Sequence, residues 1–284
     1  MTVAAAAEGT FPGAHDYQIV WRCWRPGGSP RAVVALAHGF GEHSGRYQHV
    51  GARLAHDGYV VYAPDHQGHG RSGGPRGRIS LAAAVADLDQ LILLAQSYHP
   101  RLDVFLLGHS MGGAISLRYA MGHGDRLTGL ILSGALAAVD GRGAEKAVGK
   151  LLGRIAPGLP VAKLDPNQVS RDPAVVQAYV EDPLVYHRPL PAGTVAEFLR
   201  HVDTLPDDVV AITVPTLILY GTADTLAAPS GSVMVSQRIN STDVTAIPYE
   251  GLYHEILNEP EQDQVLDEIS AWIAARVTVH APAR

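Results

Sequence analysis

The segment Leu106-Leu107-Gly108-His109-Ser110-Met111-Gly112-Gly113 constrains this chain more than any other, because it sets Gly-x-Ser-x-Gly between an apolar run and a helix-compatible run. Residues 103–107 (Asp-Val-Phe-Leu-Leu) have the composition of a buried strand, and 111–121 that of a helix carrying Ile115, Leu117 and Tyr119 among small residues. A serine on so sharp a strand-to-helix turn needs strained backbone angles, and glycine at 108 and 112 removes side chains that would collide across it. The turn projects the Ser110 hydroxyl and leaves the Met111 amide at the mouth of the following helix, where it can help bind an oxyanion.

A serine nucleophile needs a base, and the base needs a carboxylate. Residues 214–220 read as an apolar strand, and Gly221-Thr222-Ala223-Asp224 puts a carboxylate just past its end. Residues 244–249 read as one more short strand, followed by Glu250-Gly251-Leu252-Tyr253-His254. The order serine, acid, histidine, each on a loop after a strand, points to Asp224 as the acid and His254 as the base. Taken singly, an aspartate after a strand is ordinarily a turn residue and one of 14 histidines ordinarily structural. It is their order behind the right elements that carries the reading. The strand at 32–37 runs into His38-Gly39-Phe40-Gly41, which makes the Phe40 amide the second oxyanion donor; without the serine turn this loop would be a plain glycine turn.

Strand and helix alternate along the chain, which predicts an α/β fold with a mostly parallel central sheet and helices on both faces. Strands at 17–25 and 32–37 are expected as an antiparallel pair around a turn at 26–30, followed by a helix at 47–56, a strand at 59–63, a helix at 81–98 and a strand at 127–133. In the helix at 81–98, Leu81, Val85, Leu88, Ile92 and Ala95 recur at three- and four-residue steps and form one buried stripe. Between about 137 and 213 the alternation stops, leaving a helix at 144–155, a proline-rich bend and helix-like pieces at 173–180 and 194–205. The expected organisation is a core from 1 to 136 after a short flexible N-terminus, an inserted helical cap or lid over 137–213, and the rest of the core over 214–284. A chain of 284 residues suits one such domain with an insertion.

The first cap helix sets Ala147, Val148, Leu151, Leu152 and Ile155 beside Lys146, Lys150 and Arg154. The ordinary reading packs this face on cap and core; the alternative leaves it exposed to meet lipid aggregates transiently. Composition describes a folded protein, and a formal net charge of −6 without a basic patch argues against nucleic acid as a partner. Cys23, a strand residue, is the only cysteine, which allows no intrachain disulfide and permits a reducing compartment. Residues 1–8 lack the basic start and apolar core of a secretion signal, and no apolar run reaches the roughly 18 residues of a membrane span, so a cytoplasmic protein touching membranes peripherally is expected. His38, His43, His49, His66 and His69 have no metal-ligand spacing, and 66–70 reads as a flexible glycine loop beside the site; no metal and no cofactor are expected. Residues 108–113 lack the Gly-Lys-Ser/Thr ending of a nucleotide loop, and serine at 110 excludes hydrolases with an aspartate nucleophile.

Five stretches together resemble the monoacylglycerol lipases of the α/β-hydrolase superfamily, in their bacterial branch among the serine aminopeptidase S33-like hydrolases. They are His38-Gly39-Phe40-Gly41-Glu42-His43-Ser44-Gly45-Arg46-Tyr47, Asp65-His66-Gln67-Gly68-His69-Gly70-Arg71-Ser72, the Ser110 turn, Gly221-Thr222-Ala223-Asp224, and Gly251-Leu252-Tyr253-His254-Glu255. The likeness covers the chain after its first dozen residues. It implies a serine esterase that splits monoacylglycerol into glycerol and fatty acid through an acyl-enzyme, with Ser110, Asp224 and His254 catalytic and the Phe40 and Met111 amides as oxyanion hole. It also implies Tyr179 near the glycerol end of the pocket, a polar network of Glu42, His43 and Arg46 behind the oxyanion loop, and His109 beside the substrate. Asp224 is followed by Thr225-Leu226, where the resemblance leads one to expect a basic residue before the leucine. A lysophospholipase or broad carboxylesterase shares all of this chemistry, and a ligand-binding protein on the same scaffold is the non-enzymatic alternative.

Overall fold

The structure, a computed structural model, describes residues 7–139 and 143–278. It begins with strands β1 (Ala7–Pro12), β2 (Gln18–Trp24) and β3 (Ala32–Ala37), then helix α1 (Gln48–His56), β4 (Tyr59–Pro64), α2 (Leu81–Tyr98), β5 (Asp103–His109), α3 (Met111–His123) and β6 (Gly129–Ser133). Next come α4 (Gly143–Ile155), β7 (Pro160–Ala162), α5 (Pro173–Glu181), β8 (Leu190–Pro191) and α6 (Ala192–Asp208). The chain then returns as β9 (Thr216–Gly221), α7 (Pro229–Arg238), β10 (Val244–Tyr249) and α8 (Gln262–Ala274).

Eight strands form one sheet in the order β1-β2-β4-β3-β5-β6-β9-β10, antiparallel at β1/β2 and β2/β4 and parallel elsewhere. Side chains alternate across it. From β3, Val33 and Ala35 enter the cluster under α2 and α3, whereas Ala32, Val34 and Leu36 enter the cluster under α1 and α8. Leu81, Leu88, Ile92 and Ala95 of α2 are buried in the first cluster, with Val85 packed at its edge.

Three expectations need correction. The strands at 17–25 and 32–37 are not an antiparallel pair. β2 lies between β1 and β4, with Cys23 opposite Tyr62, while β3 pairs in parallel with β4 and β5. Every residue of β3 is buried, which suits a central strand with a parallel neighbour on each side rather than one arm of a hairpin. The N-terminal segment supplies β1, an edge strand, from Ala7 onward; the rest of the expected flexible terminus, residues 1–6, lies outside the described residues. And the stretch between β6 and β9 is not strand-free, because β7 and β8 form a small antiparallel ribbon.

α4 also packs differently from the ordinary reading of its apolar face. It meets α6 through small residues, Gly149 against Leu199 and Val195 and Gly153 against Ala196 and Ala192; at Gly153 a Cβ would strike the Ala196 side chain and the Ala192 carbonyl, so only glycine allows this approach there. Lys150 pairs with Asp203 of α6 along the same seam. Val148, Leu151 and Ile155 therefore point outward at 56%, 57% and 68% exposure. α6 itself is fastened to the sheet side. Thr194 donates to the Gly77 carbonyl at 2.8 Å, and Glu197 accepts from the Leu81 amide at the start of α2 at 3.1 Å.

Candidate active site

Parallel strands end on one side of a sheet, so the loops leaving β3, β5, β9 and β10 meet along one edge. At the end of β5 the chain turns directly into α3, and Ser110 at the turn has φ 54° and ψ −117°. Such a conformation costs a non-glycine residue roughly 1–3 kcal/mol and persists only where its surroundings enforce it. Here the Ser110 amide donates to the Ser133 carbonyl (3.1 Å), and its carbonyl accepts from the amides of Ala114 (3.1 Å) and Leu136 (3.0 Å). A Cβ at Gly112 would strike the Ala37 and His38 carbonyls, and one at Gly108 would strike Ser116 and the Gly112 backbone. Both positions must be glycine for the helix to seat this close to the sheet.

The structure brings Ser110, His254 and Asp224 together across the ends of β5, β10 and β9. The Ser110 hydroxyl lies 2.8 Å from Nε2 of His254, whose Nδ1 lies 2.7 Å from Oδ2 of Asp224. Oδ1 of Asp224 accepts from the amides of Leu226 (2.8 Å) and Ala227 (2.9 Å), which fixes the carboxylate plane. The network assigns the neutral tautomer: Nδ1–H donates to Asp224 and Nε2 accepts from the serine. Burial disfavours a charged His254, but Asp224, then Glu255 and Glu42, outweigh it and hold its pKa above the ordinary value. For Asp224, burial pushes the other way and is overcome by His254 and the two amides, so its carboxyl sits below the usual range.

Phe40, after β3, and Met111, at the start of α3, border the same cavity as Ser110. Among the described residues neither amide donates to a backbone carbonyl, so both remain available to an oxygen in the cavity. The Phe40 loop is held from behind. Oε1 of Glu42 accepts from the Gly39 amide and the Tyr47 hydroxyl, each at 2.6 Å, and Oε2 accepts from Arg46, also at 2.6 Å. Arg46 spans two carboxylates, donating to both oxygens of Glu255 at 2.7 and 2.8 Å, and its guanidinium lies 4.8 Å from the centre of the Tyr179 ring. Burial alone would raise the Glu42 carboxyl; Arg46, then His109 and His38, more than reverse this and keep it ionised.

Of the other expected residues, Tyr179, Glu42 and His109 line the cavity, whereas His43 and Arg46 do not. His43 accepts from the Gly45 amide at Nδ1 and donates from Nε2 to Asp182 at 2.8 Å, tying the oxyanion loop to the segment after α5. His109 lies under His254, ring centres 4.8 Å apart, and bonds through Nδ1 to the Ser133 carbonyl at 2.9 Å. Burial and the neighbouring His254 push its pKa down to about 4, so it is neutral. Glu255, Asp182 and Ser133 were not singled out from the sequence. An acid directly after the base was a signal for the first, and the resemblance of residues 179–184 to the family's cap for the second; nothing local marked Ser133. His66 and His69 lie on the glycine loop expected after β4, and both side chains are fully buried, with ring centres 4.4 and 5.6 Å from that of His38. No group of three or more His, Cys, Asp or Glu among the described residues is placed to hold a metal ion.

The rest of the cavity wall is apolar: Leu136, Val139, Leu164, Val195, Phe198 and Leu226 are among its residues, and its volume is about 290 Å³. The cavity thus joins Ser110 and a few polar groups to a largely apolar wall.

Comparison with known proteins gives the family. The family described as serine aminopeptidase, S33, matches residues 28–261. The chain is 43% identical to a monoacylglycerol lipase of Mycolicibacterium smegmatis over 98% of this chain and all of that one. It is 35% identical to the monoglyceride lipase of Rattus norvegicus, over 94% of this chain and 90% of that one. The crystal structure of Paleococcus ferrophilus monoacylglycerol lipase superposes with a TM-score of 0.81 at 32% identity, covering 96% of this chain and 99% of that one. The chain belongs to the serine aminopeptidase S33 family of α/β-hydrolases, and within it is similar to the monoacylglycerol lipases.

Proposed function

We propose that this protein hydrolyses monoacylglycerols to glycerol and free fatty acid. The observation that carries the reading is a serine hydroxyl 2.8 Å from a buried, carboxylate-paired imidazole on the wall of a largely apolar cavity. In this reading Ser110 attacks the ester carbonyl as His254 takes its proton, and the Phe40 and Met111 amides receive the oxyanion. The imidazolium, steadied by Asp224, returns the proton to the departing glycerol oxygen. Water activated by His254 then releases the fatty acid from Ser110. Tyr179, with Glu42 and His109 at the cavity edge, bounds the alcohol end; Arg46 and His43 act at one remove by holding the loops that carry those groups.

Several observations favour an ester over a peptide substrate. An aminopeptidase must receive an α-ammonium group on a free carboxylate near the nucleophile. The two carboxylates on the cavity wall, Glu42 and Glu255, are both engaged by Arg46. A cavity of about 290 Å³, at the small end of ligand pockets, suits one acyl chain and a small alcohol. Residues 137–213 act as the cap that narrows it. The outward Val148, Leu151 and Ile155 of α4, continued by Leu159 and Val161, give that cap an apolar patch for transient contact with lipid aggregates. Among the described residues no helix is long and apolar enough to cross a membrane; the outward patch is what would let the enzyme meet its lipid at interfaces. The test is a rate comparison across mono-, di- and triacylglycerols, a lysophospholipid and a soluble ester. Preference for the first is expected, and faster turnover of triacylglycerol would overturn the proposal.

A further inference from the structure

His201 lies on α6, turned away from the cavity and 2% exposed, yet its bonds lead back to the nucleophile. Its Nε2–H donates to the Leu136 carbonyl at 3.0 Å, and its Nδ1 accepts from Nε of Arg118 on α3 at 3.0 Å. Both ring nitrogens are therefore used, one as donor and one as acceptor, which only the neutral imidazole can do. Leu136 is itself held twice: its amide donates to the Ser110 carbonyl at 3.0 Å, and its side chain forms part of the acyl wall. Arg118 completes the tie by donating to Asp208 at 2.8 Å and Thr204 at 2.6 Å, both one to two turns further along α6. Elsewhere on α6, Val195, Phe198 and Leu199 line the cavity, Phe198 one turn before His201 on the same side of the helix.

We propose that His201 is a positioning residue that sets substrate specificity: through the Leu136 carbonyl it fixes the acyl-binding wall of α6 in register with Ser110. This deepens the esterase reading and rests on it. The geometry leaves little choice of role, since the ring touches neither the cavity nor the reacting atoms. It does, however, close a loop of bonds from the elbow helix α3, through α6, to the peptide that grips Ser110. Burial, then the facing Arg118, push the ring pKa down to about 4 against the pull of the Leu136 carbonyl, Asp208 and Glu197, so the neutral form persists at neutral pH. An acyl group long enough to lean on Phe198 and Leu199 feels the register of that wall; an acetyl group does not.

The experiment compares kcat and KM for a laurate and an acetate ester of the same alcohol. His201→Phe keeps an aromatic ring, somewhat larger than imidazole, and loses both hydrogen bonds, and should lower kcat/KM about tenfold on laurate, mostly through KM, with less than about twofold change on acetate. His201→Gln, which retains an N–H for the Leu136 carbonyl, should recover most of the laurate rate. Arg118→Gln leaves the buried imidazole in place and should shift the laurate-to-acetate ratio the same way but less, so the question stays decidable even if the phenylalanine variant does not fold. A ratio unchanged in the variants that fold, whether both rates fall together or neither falls, overturns the proposal. Failure of the esterase reading would show separately, as no turnover of either ester by the unmodified chain.

Discussion

The backbone strain at Ser110 is borne by main-chain bonds to Ser133, Ala114 and Leu136, not by the hydroxyl. Truncating the side chain should leave the fold unaltered while removing the nucleophile. Ser110→Ala is expected to melt within a few degrees of the parent and to lose roughly ten-thousandfold or more in turnover. A pH-stat assay showing near-normal hydrolysis would end the assignment. At His254 the sign of the pH effect follows from its partners. In its proposed role as base His254 works only when neutral, and Asp224, Glu255 and Glu42 hold its pKa above the ordinary value against burial. The acid limb of kcat/KM against pH should therefore turn at a value above about 6.5, the ordinary figure for histidine. A limb turning below that value would contradict the Asp224–His254 pairing as described. These residues were legible because a Gly-x-Ser-x-Gly turn, a post-strand aspartate and a post-strand histidine are local patterns. Arg46 was legible only by resemblance, since the carboxylate it grips, Glu255, lies 209 positions away and nothing in either neighbourhood names the other.

At the level of elements, apolar runs announced the strands that carry the site, while the pairing of those strands did not follow from them. β2 and β3 are neighbours in sequence but β4 inserts between them, because the order of a sheet is set by which faces its crossovers bury. α7 and α8 escaped notice for a different reason. Val235 is one of few apolar residues buried on α7, and α8 follows the base loop too closely for its stripe of Val265, Leu266, Ile269, Trp272 and Ile273 to stand apart. α4 was found as a helix with its apolar face either packed or exposed, and the structure leaves that face outward because Gly149 and Gly153, four residues apart, are what meet α6. The outward face yields a prediction: Leu151→Glu with Ile155→Glu should leave hydrolysis of a soluble ester unchanged within about twofold and lower binding to lipid vesicles several-fold. Equal flotation of parent and variant with vesicles would remove the lipid-contact role of α4.

Across the molecule, a set of buried histidines makes acid stability a property of the fold rather than of the site alone. Burial holds His38 and His66 below the ordinary pKa, His69 at about 3, and His109 and His201 at about 4. Each is neutral when folded and binds a proton near pH 6.5 when unfolded, so its contribution is complete above about 6.5 and is lost as pH falls toward the folded value. His254, with its raised pKa, contributes in the opposite sense, but it is one against five. The urea midpoint should accordingly be lower at pH 5 than at pH 7; equal midpoints would show that these imidazoles are not buried as neutral groups. The meeting of Ser110 with Asp224 and His254, more than a hundred positions later in the chain, carries a consequence for biosynthesis. A ribosome delivers the serine, its elbow and the donor loop long before it delivers the acid after β9 and the histidine after β10. A nascent chain arrested ahead of residue 254 should thus fail to react with a serine-directed fluorophosphonate, and the cell is spared a lipolytic fragment at every unfinished round of translation.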